Sequence, residues 1–414
     1  MTDVRRAERS ELSTRAPGRF DASARPRRLG RNLYLLFVGV TAFLALAQMV
    51  LLPRNLSAFE FGTLSIALSL TQAVQQFGDL GFSNAAFRRE LDSSLRGELR
   101  EYGLTNVFVV STVAILVAAV AAFAGAFSWY GFGVLALAVL SGTVLAASKM
   151  SANSAIEAGD ERAAAVQNAV WQNAPKLGMI VGSFGGTALA SSIGAVVTAV
   201  GFGRPRLPRR WATPTTFSRH ARLWAPGLTL VAAAFAASWV DTYILTALQG
   251  VDAAGAYQAI LRPLLGVTYI YLPVVAILQS AANRGQWQRM RRLRLASVGG
   301  SAACAALVAA ALIMIGDQVW PEYKFPTVAV VLCAVSVVAG CASTVFGTEL
   351  LVHGRQGFSA VATLGGAAVL AALTAALVPH LGLVGAAAGS CAGWLTAAVV
   401  QWIGCMRYRP DSAR

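Results

Sequence analysis

The chain has 414 residues, 56% of them hydrophobic and 13% charged, and its 34 Lys+Arg against 19 Asp+Glu leave a formal charge of +15. A soluble globular chain carries about 25% charged residues, so this composition cannot cover itself with a water-compatible surface, and its long uncharged runs mark an integral membrane protein. That excludes a soluble enzyme, a secreted disulfide scaffold and a disordered chain. It also argues against a nucleic-acid partner, because the basic residues sit in short segments between apolar runs.

Residues 1–31 hold nine Arg and no apolar core of a signal peptide, so they read as a disordered basic cytoplasmic tail attracted to anionic lipid heads. Apolar runs long enough to cross a bilayer then predict twelve helices, at about 33–52, 62–83, 104–124, 130–150, 163–183, 186–202, 226–248, 255–279, 295–316, 326–349, 358–378 and 381–405. The fifth and sixth are short, and only the stretch GSFGGTALASS separates them. With the N-terminus inside, 30 of the 34 basic residues fall in cytoplasmic segments and two, Arg54 and Lys324, in outer loops, while Lys176 and Arg262 lie within helices. This asymmetry predicts an even number of spans with both termini cytoplasmic.

The longest connection, 203–225, is rich in Pro and Arg and divides six helices from six. The expected organisation is a tail at 1–31, an N-terminal lobe at 32–202, a basic cytoplasmic linker at 203–225, a C-terminal lobe at 226–407 and a short tail at 408–414. Short outer loops leave no room for a catalytic domain, and the dipeptide Gly-Lys of a phosphate-binding loop does not occur. Cys304, Cys333, Cys341, Cys391 and Cys405 lie in or at the end of apolar runs with no metal-ligand spacing, and read as packed thiols. The chain is therefore read as no enzyme, with no catalytic residue, metal or cofactor.

Two landmarks repeat along the chain. Phe61-Gly62-Thr63-Leu64 opens the second helix and Ala254-Gly255-Ala256-Tyr257 the eighth, 193 positions on. Glu157-Ala158-Gly159-Asp160 and Val352-His353-Gly354-Arg355 mark matching turns 195 apart. The reading is two six-helix lobes of one topology, related by an axis along the membrane normal, with a site between them.

Leu52-Pro53-Arg54-Asn55-Leu56-Ser57-Ala58-Phe59-Glu60-Phe61-Gly62, Gly78-Asp79-Leu80-Gly81-Phe82 and Ala86-Phe87-Arg88-Arg89-Glu90 resemble the first helical hairpin of the Wzx-type polysaccharide-biosynthesis flippases. Trp239-Val240-Asp241-Thr242-Tyr243, followed by Gly255-Ala256-Tyr257, is similar to the family pattern that opens the second lobe, although Thr242 stands where that pattern often has a base. The resemblance implies the fold of the multidrug and toxin extruders (MATE-like) in the cytoplasmic (inner) membrane. It implies inner-to-outer flipping of a polyprenyl-pyrophosphate-linked glycan, among membrane lipids and beside polysaccharide polymerase or glycosyltransferases. The alternative is a MATE-like exporter of drugs or small solutes by ion antiport.

A flippase of that kind needs a polar cavity for the glycan and a base for the pyrophosphate. Ser65, Ser69, Gln72, Gln76, Asp79 and Ser83 form one stripe on the second helix, either lining a cavity or gluing helices together. On the fifth, Gln172 and Lys176 share a face beside Pro175; Lys176 is a phosphate or glycan contact, or half of an ion pair. On the eighth, Gln258 and Arg262 lie one turn apart at the depth of Asp241, so Arg262 and Asp241 either neutralise each other or form a switch. The candidate cavity residues are Arg54, Gln72, Gln76, Asp79, Arg88, Gln172, Lys176, Gln258 and Arg262. Asp241 and Asp79 are candidates for coupling to H+ or Na+. Glu349 is expected to pair with Lys149 or to bind a coupling cation, the pair being favoured.

Overall fold

The computed structural model describes residues 28–78, 93–125, 128–157, 161–203, 207–208, 221–268, 287–352 and 355–407. Among these the chain is all-helical. Its twelve helices are α1 (Arg28–Asn55), α2 (Ala58–Phe77), α3 (Ser93–Phe123), α4 (Trp129–Glu157), α5 (Glu161–Ser183), α6 (Ala188–Phe202), α7 (Ala221–Gln249), α8 (Val251–Leu265), α9 (Trp287–Val319), α10 (Thr327–Val352), α11 (Gln356–Leu381) and α12 (Leu383–Arg407). Seven stretches, within α3, α4, α7, α9, α10, α11 and α12, are long and apolar enough to cross a membrane. Residues 1–40 form one unit, described only from residue 28; Thr41–Arg414 form another, which carries everything below.

Local chemistry sets the breaks between helices. Ser57 leaves the helical region and its hydroxyl accepts the Glu60 N–H at 3.3 Å, starting α2. Thr187 does the same for α6, accepting the Ala190 N–H at 3.1 Å, so the short GSFGGTALASS stretch does hold a turn between two helices. Gly250 joins α7 to α8 at φ +91°, a left-handed conformation that side chains resist.

Neighbouring helices pack in two sets. Within the first, α2, α3, α5 and α6 contact α4, and α5 pairs closely with α6; within the second, α7, α10 and α11 contact α12, and α8 and α9 contact α10. Contacts of α2 with α8 and with α7 connect the sets. A continuous core runs through Leu52, Phe61, Leu64, Leu245, Tyr257, Ile260 and Cys333. Phe123, Leu307, Met314 and Val361 are exposed apolar side chains on the helix exteriors, the surface a lipid-facing bundle presents.

The structure corrects one expected ion pair. Glu349 bonds Arg294 at 3.1 Å rather than Lys149, and the Arg294 guanidinium also lies 5.6 Å from the centre of the Phe346 ring. The reason is adjacency: α10 packs beside α9, which carries Arg294.

Candidate functional site

α2, α7 and α8 meet at two levels. At the first, Gly62 and Gly255 let α2 and α8 touch along their backbones. A Cβ on Gly62 would stand 2.1 Å from the Val251 carbonyl oxygen, and one on Gly255 2.0 Å from that of Ala58. The surrounding end of the bundle is closed by cross-links. The Trp320 Nε1–H donates to the Val50 carbonyl at 3.0 Å and the Tyr323 hydroxyl to that of Leu56 at 3.1 Å. Burial, and secondarily the Glu322 carboxylate, raise the Tyr323 pKa, so this phenol stays a donor. Phe61 meets Tyr323 edge to face at 6.4 Å. Glu60 accepts from the Ala188 N–H at 2.7 Å and from the Tyr130 hydroxyl.

At the second level, α2 and α7 run antiparallel. Ser69 contacts Tyr243 (2.5 Å between hydroxyls), the Gln72 side-chain carbonyl accepts the Trp239 Nε1–H at 2.8 Å, and Phe77 packs edge to face on Phe235 at 5.3 Å. Between the glycine contact and the Phe77–Phe235 pair lies a cavity of ≈ 460 Å³, lined among others by Gln72, Trp239, Asp241, Gln258, Arg262 and Trp394. This size suits a small polar head group, since ligand cavities span about 300–1,000 Å³.

The charged groups of the cavity are tied together. Asp241, 1% exposed, accepts the Tyr257 hydroxyl at 2.6 Å and, through its other oxygen, the Thr242 N–H at 2.6 Å and hydroxyl at 3.2 Å. Gln258 Nε2–H donates to the Thr242 hydroxyl at 2.7 Å, and Gln258 Oε1 accepts from Arg262 Nε–H at 2.9 Å. The Arg262 guanidinium then lies 5.1 Å from the centre of the Trp239 ring. The link between Asp241 and Arg262 therefore runs through Thr242 and Gln258 rather than through a direct ion pair. A buried charge needs partners of this kind.

The cavity thus gathers Gln72, Gln258 and Arg262 of the expected residues, together with Asp241. The polar stripe of α2 divides: Ser69 binds Tyr243 as helix-to-helix glue, whereas Gln72 reaches the cavity. Gln76 is half-buried, its Oε1 enclosed without a donor among the described residues, and it does not line the cavity. Arg54 is exposed at the end of α1, and Lys176 is half-buried on α5; neither lines the cavity. Asp79 and Arg88 lie outside the described residues, as does the side chain of Gln172. Sequence reasoning did not assign roles to Trp239, Tyr243, Tyr257 or Trp394. The first three lie within or next to the patterns Trp239–Tyr243 and Gly255–Tyr257, which were legible as patterns but not as contacts.

The polysaccharide biosynthesis protein family matches residues 30–278, more than half of the chain. The chain belongs to this family. No curated protein sequence matches it. The fold of this family member is similar to that of an inward-facing multidrug resistance MATE transporter of the MOP superfamily, with TM-score 0.62 and 12% identity over 91% of this chain and 97% of that one. It is similar to the lipid II flippase MurJ in an inward closed conformation, with TM-score 0.59 and 11% identity over 92% and 89%. It is also similar to the MATE multidrug transporter DinF-BH in complex with R6G, with TM-score 0.62 and 15% identity over 93% and 96%. At such identities the likeness establishes the fold, which is MATE-like and multi-pass in the membrane. These neighbours are transporters and a flippase, not enzymes.

Proposed function

We propose that this protein is a flippase that carries a polyprenyl-pyrophosphate-linked oligosaccharide, a precursor of a cell-surface polysaccharide, from the inner to the outer leaflet of the cytoplasmic membrane. The observation that carries the reading is Arg262, held by Gln258 over the Trp239 face inside a cavity lined by α7, α8, α10 and α12 together with Gln72 of α2, in a member of a polysaccharide biosynthesis family. A guanidinium is the side chain best matched to phosphate oxygens. In this reading the pyrophosphate meets Arg262, the first sugars occupy the cavity and the polyprenyl tail remains in lipid.

The two halves then act as lobes that rock about the α2–α8 contact, with residues 203–225 as the linker and both termini in the cytoplasm. The reciprocal spacing supports this: Ala58 and Val251, like Gly62 and Gly255, stand 193 positions apart, and each member of one pair approaches the other pair. Such reciprocity belongs to a two-fold contact between equivalent surfaces. Closing one end while opening the other requires two discrete arrangements with different contacts to the cargo. Asp241, joined to Arg262 through Thr242 and Gln258, is the proposed coupling group for H+ or Na+.

The rival reading, export of cationic drugs, needs a carboxylate open to the cavity. Among the described residues the cavity's carboxylate is Asp241, which is 1% exposed with both oxygens engaged, and this favours an anionic cargo. The test depletes the protein and labels surface sugars of lipid-linked glycans with a membrane-impermeant reagent on intact cells. The expected result is loss of labelled lipid-linked glycan outside while the total holds or rises. An unchanged distribution, with new sensitivity to small cationic toxins, would establish the exporter instead.

A further inference from the structure

The cavity holds two tryptophans in opposite situations. Trp239 is 6% exposed, its indole N–H is taken by Gln72 and its face by Arg262. Trp394, on α12, is half-buried and also lines the cavity. A Cβ placed on Gly340 of α10 would lie 3.5, 3.6 and 3.8 Å from Trp394 Cδ2, Cε3 and Cε2. Gly340, lacking a side chain, thus leaves methyl-sized room beside the fused rings of the Trp394 indole. Among the described residues the Trp394 N–H has no acceptor. The cavity is also lined by Ser336 and Ser390, whose buried hydroxyls lie 2.9 Å apart, and by Thr344, whose hydroxyl donates to the Gly340 carbonyl at 3.0 Å.

An aromatic face carries a negative quadrupole, and a pyranose ring presents on one face a set of positively polarised C–H bonds. Hydroxyls radiate from the sugar's edge and need polar partners. Phosphate needs none of this; it needs a cation. The wall of α7 and α8 supplies the cation and the wall of α10 and α12 supplies the platform.

We propose that Trp394 is the stacking platform for the sugar joined directly to the pyrophosphate, in the cavity that it shares with the anion site at Arg262. This rests on the flippase reading and names how the head group is divided. The cargo is a glycan whose first residue has one face rich in axial or ring C–H bonds and is held apart from its phosphates. The platform makes the site selective for a glycosylated carrier over the bare lipid diphosphate that remains after glycan transfer.

The test uses the purified full chain in lipid nanodiscs. It is titrated with undecaprenyl diphosphate, bare or carrying a single glucose, galactose or N-acetylglucosamine, and binding is read by native mass spectrometry. In the wild type at least one sugar tightens binding about three- to tenfold over the bare carrier, the scale of one aromatic contact. Trp394→Leu erases that gain and leaves bare-carrier binding unchanged, Trp394→Phe keeps most of it, and Arg262→Gln weakens all four ligands alike. A wild type for which no sugar adds affinity overturns the platform, as does a Trp394→Leu protein that loses bare and glycosylated carrier equally while Trp394→Phe is intact. Failure of the wild type to bind any of the four carriers would instead overturn the flippase reading itself.

Discussion

Gly62 and Gly255 stand 193 positions apart and pack against each other, each with its missing Cβ filled by a carbonyl oxygen four residues before its partner, Val251 or Ala58. The contact is reciprocal, so a single methyl on either helix forces backbone away from backbone. No flexible side chain can absorb a 2.0–2.1 Å approach. Gly62→Ala and Gly255→Ala are therefore expected to fold but to loosen the closed end of the bundle. In a background lacking the five native cysteines, a reporter thiol at Ser65→Cys, now fully buried, should react about tenfold faster with an impermeant maleimide added from that side. That corresponds to roughly 1.4 kcal/mol in the closing equilibrium. Unchanged labelling would show that the barrier lies elsewhere.

Arg262 is positioned by two neighbours, and its variants should separate charge from shape. Arg262→Gln removes a desolvated charge-assisted contact worth about 1.5–3 kcal/mol, so initial flipping rates should fall about 10- to 100-fold. Arg262→Lys keeps the charge but loses the planar fork and its seat on Trp239, and a loss of about tenfold is expected. Gln258→Leu should resemble the lysine variant, because the guanidinium loses the acceptor that orients it. Wild-type flipping by Arg262→Gln, measured as appearance of labelled glycan outside, would remove Arg262 from the cargo site.

The fold was largely legible because a membrane helix announces itself by length and apolarity alone. The separate α5 and α6 followed from spacing, and so did the nearness of Asp241 and Arg262, which line one cavity. What spacing does not contain is rotation and neighbour choice. It placed Ser69 and Gln72 on one stripe but could not say that the first meets Tyr243 and the second faces the cavity. It also treated Thr242 as a departure from the family pattern, whereas its hydroxyl joins Asp241 to Gln258. Trp394 was invisible for a similar reason: nothing in the spacing brings α12 to the cavity that holds Arg262.

The pair Arg294–Glu349 makes a prediction that contradicts the pairing expected from depth. Both side chains are mostly buried, and the guanidinium also covers Phe346. Removing one partner strands the other, a cost of about 3–5 kcal/mol when burial is complete and less here. Glu349→Gln should lower the thermal unfolding midpoint distinctly, whereas Lys149→Gln should leave it unchanged. In a double-mutant cycle, Arg294→Gln and Glu349→Gln together should destabilise less than the sum of the two. A Lys149→Gln loss equal to that of Glu349→Gln would restore the depth-based pairing.

Asp241 and Arg262 form the ends of a relay through Thr242 and Gln258, and the relay can be cut without touching either charge. If Asp241 couples transport to H+ or Na+, Asp241→Asn should abolish flipping. Thr242→Val removes the hydroxyl that contacts both the carboxylate and Gln258 but keeps the backbone N–H bond to Asp241. It should retain cargo binding while slowing flipping about tenfold, a loss of roughly 1.4 kcal/mol in coupling. The measurement is the flipping rate in proteoliposomes across pH and Na+ gradients. An Asp241→Asn protein that flips at the wild-type rate with the wild-type pH and Na+ dependence would leave the carboxylate as a structural acceptor for Tyr257 and Thr242 and place coupling elsewhere.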